Sequence, residues 1–274
     1  MKESYRKMLK SPRQRIKDLP LNRIAPNLVT LFALSSGVTS IRFAMEGRFQ
    51  WAVFAILMAA VFDALDGRVA RMLKGTSDFG AELDSLSDVV CFGVAPGLLM
   101  YFWGLGTTSP VGWIFALLVP ICCALRLARF NIMLDDDPLP NYWKHFFVGL
   151  PAPGGALVAL TPIMLYFYFQ APFLRSGWFV ELFLFISAFL MASRLPTISL
   201  KKFRIPVRFV IPVLACAGLF AGALVYEPWL TVGVVGILYL LSVPLCSYVF
   251  LRLKAKAEGT ETEKSEKTVE EVKA

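Results

Sequence analysis

The sequence predicts an all-α fold, a polytopic membrane bundle of about eight transmembrane helices. Three observations predict it. The 274-residue chain is 57% hydrophobic and only 18% charged, with a mean hydropathy of +0.61, whereas soluble domains are closer to a quarter charged. Apolar runs long enough to cross a bilayer recur eight times along it. The cations are also one-sided. With the N-terminus in the cytoplasm, 25 of the 28 lysines and arginines fall on that side, and only Arg42, Arg48 and Arg175 fall on the other. Lys and Arg accumulate in cytoplasmic loops, so both termini are expected in the cytoplasm and the bundle in the cytoplasmic (inner) membrane.

Residues 1–25 are basic and polar, which predicts a juxtamembrane arm lying on the membrane surface. They contain no short apolar core with a cleavage site, so no signal peptide is expected. The spans follow at 26–45, 50–72, 81–104, 109–130, 151–170, 178–194, 207–226 and 229–251, within one membrane-embedded domain over 26–254. The sixth is short, and Arg42, Arg126 and Arg129 sit near helix ends, where long side chains can snorkel. Residues 255–274 (AKAEGTETEKSEKTVEEVKA) are charged and of low complexity, which predicts a disordered tail. No internal repeat is present. The net charge of +8 is explained by anionic lipid headgroups, and no nucleic-acid partner is expected. Cys91, Cys122, Cys123, Cys216 and Cys246 all fall in apolar runs without a CxxC pair and read as small core residues. A single histidine, His145, excludes His-rich metal sites and disfavours a Ser-His-Asp arrangement.

The second and third spans carry the unusual chemistry. Asp63, Asp66, Gly67, Ala70 and Arg71 share one face of helix 2, and Gly80, Asp84 and Asp88 share one face of helix 3. The linker between them is short, so the helices are antiparallel neighbours and the two faces meet near the cytoplasmic end. Small residues at Gly67, Ala70 and Gly80 let a backbone or a flat ligand approach closely. Four clustered carboxylates need cations to stay ionised, and Arg68 and Arg71 neutralise them only in part. Oxygen-only ligands suit Mg²⁺ or Mn²⁺. Two such ions, held by two carboxylates from each helix, would suit in-line displacement at phosphorus. Spacing alone also admits a buried ion-pair network or a cation- or proton-coupled transporter.

The string Asp63-x2-Asp66-Gly67-x2-Ala70-Arg71-x8-Gly80-x3-Asp84-x3-Asp88 resembles the signature of the CDP-alcohol phosphatidyltransferase family at all eight fixed positions. Helices 1 to 6 fit that family's core, with helices 7 and 8 as an extension. The resemblance implies transfer of a phosphatidyl group from CDP-diacylglycerol to an alcohol, with release of CMP and with two divalent metal ions as cofactors. It implies that Asp63, Asp66 and Asp84 are metal ligands. Asp88 is implied both to touch the second metal and to act as general base. Gly67, Arg71 and Ser77 are implied nucleotide contacts, with Ala70 and Gly80 beside them; Arg71 suits a diphosphate bidentately. The stretch PNLVT at 26–30 is similar to the family's first helix, where Asn27 and Thr30 either hydrogen-bond the base or simply cap the helix.

Two further stretches bear on the acceptor. ALRLARFNI (124–132) and FFVGLPAPGGA (146–156) resemble the bacterial phosphatidylserine synthase branch, which implies L-serine. The second departs from that branch at Gly154-Gly155, where alanines are expected. Arg126 and Arg129 are expected to clamp the serine carboxylate and Asn131 to accept from its ammonium; the other reading of both arginines is as topological anchors or phosphate ligands. Asp135, Asp136 and Asp137 read as a solvated loop. A sister enzyme using glycerol-3-phosphate, inositol phosphate or choline remains the alternative. Expected partners are CDP-diacylglycerol, L-serine and membrane lipids, with the choice between monomer and homodimer left open.

Overall fold

The structure, a computed structural model, describes residues 21–73, 77–106, 110–133, 146–193, 195–198 and 209–273. The arm up to residue 20, the acidic run 135–137 and His145 lie outside the described residues. Eight helices are seen among those described: α1 (Leu21–Met45), α2 (Phe49–Met72), α3 (Asp78–Leu105), α4 (Pro110–Met133), α5 (Ala152–Phe169), α6 (Gly177–Ala192), α7 (Val210–Tyr226) and α8 (Pro228–Lys273). Each coincides with an expected span to within a few residues, apart from the two ends described next. The chain is an integral membrane protein of polytopic helical architecture.

α1 begins at Leu21, five residues before the expected span. The larger difference is at the other end, where α8 continues as helix to Lys273, although the composition of 255–274 predicts a disordered tail. Its Glu, Lys and Ala residues are good helix formers, which is the physical reason for the difference. One short strand pair accompanies the helices. Phe146–Val148 (β1) pairs antiparallel with Pro196–Ile198 (β2), Phe147 opposite Thr197. Three-residue strands are too short for a period-two pattern to show in a sequence. The pair ties the start of α5 to the end of α6, and Gly149, at φ +78, makes the turn into α5. A Cβ there would lie 2.8 Å from the Ser193 carbonyl oxygen, so Gly149 is required both for its backbone conformation and for space.

α3 is the central helix and touches α1, α2, α4, α5 and α6. It is not uniformly α-helical: Val89–Val94 and Tyr101–Leu105 are π-helical. The first π segment lies just ahead of Pro96, whose ring clashes with the carbonyl four residues back in a regular helix. Helices in a bilayer gain nothing from hiding apolar surface from lipid and associate through close packing. Gly93 meets Pro120 and Gly97 meets the Ala116 carbonyl oxygen, where added Cβ atoms would lie 3.0 Å and 2.6 Å away. Phe92, Leu99, Met100, Val119 and Met164 fill the core around these approaches. At the end of the bundle away from the aspartates, Arg42 Nε lies 2.8 Å from Glu46 and Arg48 stacks over Phe43.

Candidate metal and nucleotide site

Ser77 fixes where α3 starts. Its backbone is extended (φ −143°, ψ 150°) and its Oγ accepts from the Gly80 N–H at 3.1 Å, a side-chain N-cap. The cap starts the helix that carries Asp84 and Asp88, opposite the last turns of α2 that carry Asp63 and Asp66. Asp63, Asp66 and Asp84 each offer a carboxylate oxygen within 4.8 Å of the others. Asp66 is buried, and its Oδ2 accepts from Thr30 Oγ1 of α1 at 2.8 Å. Asp84 Oδ1 is buried and has no hydrogen-bond partner among the described residues. A buried carboxylate oxygen without a partner is costly, and a hard cation between these three groups would satisfy it. The donor set and the orphaned oxygen therefore fit a divalent metal.

Asp88 is not one of these three but adjoins them. Its carboxyl lies within hydrogen-bonding reach of Asp63. The Arg126 guanidinium of α4 interacts with both, and its buried Nε has no partner among the described residues. The cluster thus has two sides, a carboxylate triad and an Asp88–Arg126 side.

Next to the triad is a cavity of about 140 Å³. Asn27, Thr30, Gly67, Ala70, Ser77 and Gly80 line it, together with Asp66 and Asp84. Of the seven expected nucleotide contacts only Arg71 does not line it; Arg71 is exposed, with Nη1 beside Gly67. Asn27 Oδ1 packs 3.0 Å from where a Cβ on Gly80 would stand, so Gly80 is needed for this approach. Thr30 lines the cavity and also reaches the triad. Its hydroxyl donates to Asp66, so it orients a carboxylate of the triad.

The three expected serine contacts are separated. Arg126 faces Asp88. Arg129 Nη1 donates to the Ala192 carbonyl at the end of α6, 2.9 Å away. Asn131 Nδ2 donates to Ser85 Oγ at 3.2 Å. Residues three apart on a helix diverge by about 60°, enough for Arg126 and Arg129 to address different neighbours. The sequence reasoning missed Tyr239 of α8, which comes within electrostatic reach of Arg126. No motif or spacing marks it.

Residues 23–193 match the profile of the CDP-alcohol phosphatidyltransferase family. The chain belongs to the CDP-alcohol phosphatidyltransferase family. A second profile, CDP-alcohol phosphatidyltransferase 2, matches residues 208–244, so α7 and the start of α8 also have counterparts among CDP-alcohol phosphatidyltransferases. The chain is similar to the CDP-diacylglycerol–serine O-phosphatidyltransferase of Mycobacterium leprae, 41% identical over 81% of this chain and 74% of that one. The protein of the same name from Mycobacterium tuberculosis is 38% identical over 81% of this chain and 77% of its own. That of Methanocaldococcus jannaschii is 48% identical over a shorter stretch, 38% of this chain and 45% of its own. As a member of the CDP-alcohol phosphatidyltransferase family the chain is an enzyme, a transferase.

Proposed function

We propose that the protein transfers the phosphatidyl group of CDP-diacylglycerol to L-serine, making phosphatidylserine and CMP. The observation that carries this reading is the carboxylate triad of Asp63, Asp66 and Asp84 beside a cavity lined by the family's nucleotide-contact positions. The names of the relatives and the RLARFN and GLPAP stretches support serine as the acceptor.

In this reading the cytidine enters between Gly67 and Gly80, where absent side chains leave room, and Asn27 and Ser77 lie against it. Arg71 binds the diphosphate from the exposed rim. Two divalent ions, Mg²⁺ or Mn²⁺, on Asp63, Asp66 and Asp84 with Asp88 at the second, would neutralise the diphosphate and the departing CMP. Thr30 holds Asp66 in its ligating orientation. Asp88 takes the proton of the serine hydroxyl, whose oxygen bonds to the lipid-side phosphorus as the bond to the CMP oxygen breaks. Arg126 binds the serine carboxylate beside Asp88. Arg129 and Asn131 hold α4 against α6 and α3, and so keep Arg126 in place. The acyl chains stay in the bilayer, and the 25-to-3 distribution of cations supports a cytoplasmic active site in the inner membrane.

The test is CMP release by the purified protein with CDP-diacylglycerol, Mg²⁺ or Mn²⁺, and a panel of alcohols. Serine is expected to support release, with phosphatidylserine as the lipid product. Release with glycerol-3-phosphate, inositol phosphate or choline but not with serine would overturn the acceptor assignment.

A further inference from the structure

The proposed acceptor side of the site has one neighbour that the eight-position signature does not include. α8 lies antiparallel on α5 and is seated by small residues at three levels: Gly233 on Leu165, Gly236 on Thr161, and Tyr239 on Gly154. At Gly154 the approach is closest to the chemistry. A Cβ there would lie 2.6 Å from Tyr239 Cε1 and 2.9 Å from its hydroxyl oxygen. The bare Gly154 backbone is therefore what admits the phenol at this position. This also gives a physical reason for glycine at 154, where the resemblance leads one to expect alanine.

Two polar groups then converge. Arg126 Nε is buried and unpaired among the described residues. The Tyr239 ring is partly buried, and its hydroxyl lies within electrostatic reach of Arg126. The polar tip of a partly buried phenol usually finds a hydrogen-bond partner. A carboxylate has two oxygens and several lone pairs, so it can take a guanidinium on one side and a phenol O–H on the other. A neutral second donor suits an acceptor of single negative charge.

We propose that Tyr239, seated on Gly154, donates its hydroxyl to the carboxylate of the acceptor amino acid beside Arg126 and is a specificity-determining residue. This rests on the serine reading above. It makes α8 part of the acceptor pocket and not merely an added span.

The experiment compares wild type, Tyr239→Phe and Gly154→Ala in lipid nanodiscs, measuring KM for serine, for serinamide and for CDP-diacylglycerol. Serinamide keeps the hydroxyl and ammonium but lacks the carboxylate. Tyr239→Phe keeps the ring, and is expected to raise the serine KM about tenfold or more, the size of one hydrogen bond to a charged group. The preference for serine over serinamide should fall by the same factor, with KM for CDP-diacylglycerol unchanged. Gly154→Ala should reproduce the loss of preference by displacing the ring, and add nothing to it in the Tyr239→Phe background. An unchanged serine KM in Tyr239→Phe overturns the proposal. An equal rise for serine and serinamide also overturns it, by making Tyr239 a packing residue. Wild-type protein that releases no CMP with serine overturns the serine reading itself, and this proposal with it, before any variant is compared.

Discussion

α3 and α7 are both apolar helices, and both carry two glycines four residues apart, Gly93 and Gly97 in one, Gly218 and Gly222 in the other. The structure treats them in opposite ways. In α3 both glycines are in close contact with α4. In α7 a Cβ on either glycine would meet nothing within 4 Å, and every residue of Val210–Tyr226 is exposed. Lipid tails are as apolar as leucine, so an exposed apolar helix has no hydrophobic drive to be covered. Apolarity thus marks both segments for the bilayer without saying which one is the core. What distinguishes α3 is the polar groups it must satisfy: Asp84 and Asp88 on one face, Ser87 reaching toward the Thr30 carbonyl, and Cys91 donating to the Ala33 carbonyl at 3.3 Å. A helix that carries carboxylates into an apolar bundle needs neighbours on every side.

The contrast is tested most severely at Asp84, whose orphaned oxygen sits between α2 and α3. Asp84→Asn keeps the shape and removes the charge. Activity is expected to fall by about 10²–10³-fold or more, the scale of losing a main electrostatic stabiliser. Titration of Mn²⁺ followed by calorimetry should show the cause as weakened metal binding, and a chelator should abolish wild-type activity reversibly. Wild-type turnover and metal affinity in this variant would mean that the triad is misplaced.

Asp88 comes next. Asp88→Asn removes the proposed base and leaves the triad of Asp63, Asp66 and Asp84 intact. The expectation is a fall in kcat of about 10²–10⁴-fold with CDP-diacylglycerol still bound in the presence of metal, both read by calorimetry alongside turnover. If lipid binding were lost in step with activity, Asp88 would be chiefly a ligand. A smaller effect is expected at Thr30, whose hydroxyl meets the carboxylate of Asp66 and no other member of the triad. Thr30→Val should weaken metal affinity by about 10–100-fold, the usual cost of losing an outer partner, and higher Mn²⁺ should restore most of the rate.

Much of this was legible in the sequence, because the carboxylates, the small residues between them and the helix period all sit within one stretch of two helices. The eight helices were legible from apolar length alone, and five of them are long and apolar enough to cross a membrane. Other features were not. Thr30 lies in a different helix from Asp66, and its hydroxyl suits a base, a cap or a carboxylate equally until the helices are packed. Arg129 reads as a partner of Arg126, three residues away, and nothing in the sequence shows that its Nη1 donates to the Ala192 carbonyl at the end of α6. Tyr239 is invisible to any local pattern, since only the packing of α8 on α5 brings it to Arg126. Close contacts between helices distant in the chain are what a linear reading cannot see, and here they set what surrounds Arg126.

The smallest expected effect lies in α7. Gly97→Ala and Gly218→Ala make the same chemical change in two helix interiors, and each gains the same intrinsic helix preference, up to about 1 kcal/mol. The difference between them therefore isolates the surroundings. At Gly97 the new Cβ would stand 2.6 Å from the Ala116 carbonyl oxygen, a backbone atom that cannot swing aside, so α3 and α4 must separate. Forcing an extra methyl group into a packed core costs about 1–3 kcal/mol, and the loss should appear as a lower Tm in detergent together with reduced activity. At Gly218 the methyl group enters open space, so Tm and activity should stay at or slightly above the wild-type values. Equal destabilisation by the two substitutions would show that α7 is covered by something in the assembled protein. A shift in oligomeric mass for Gly218→Ala alone would identify that cover as a second copy of the chain.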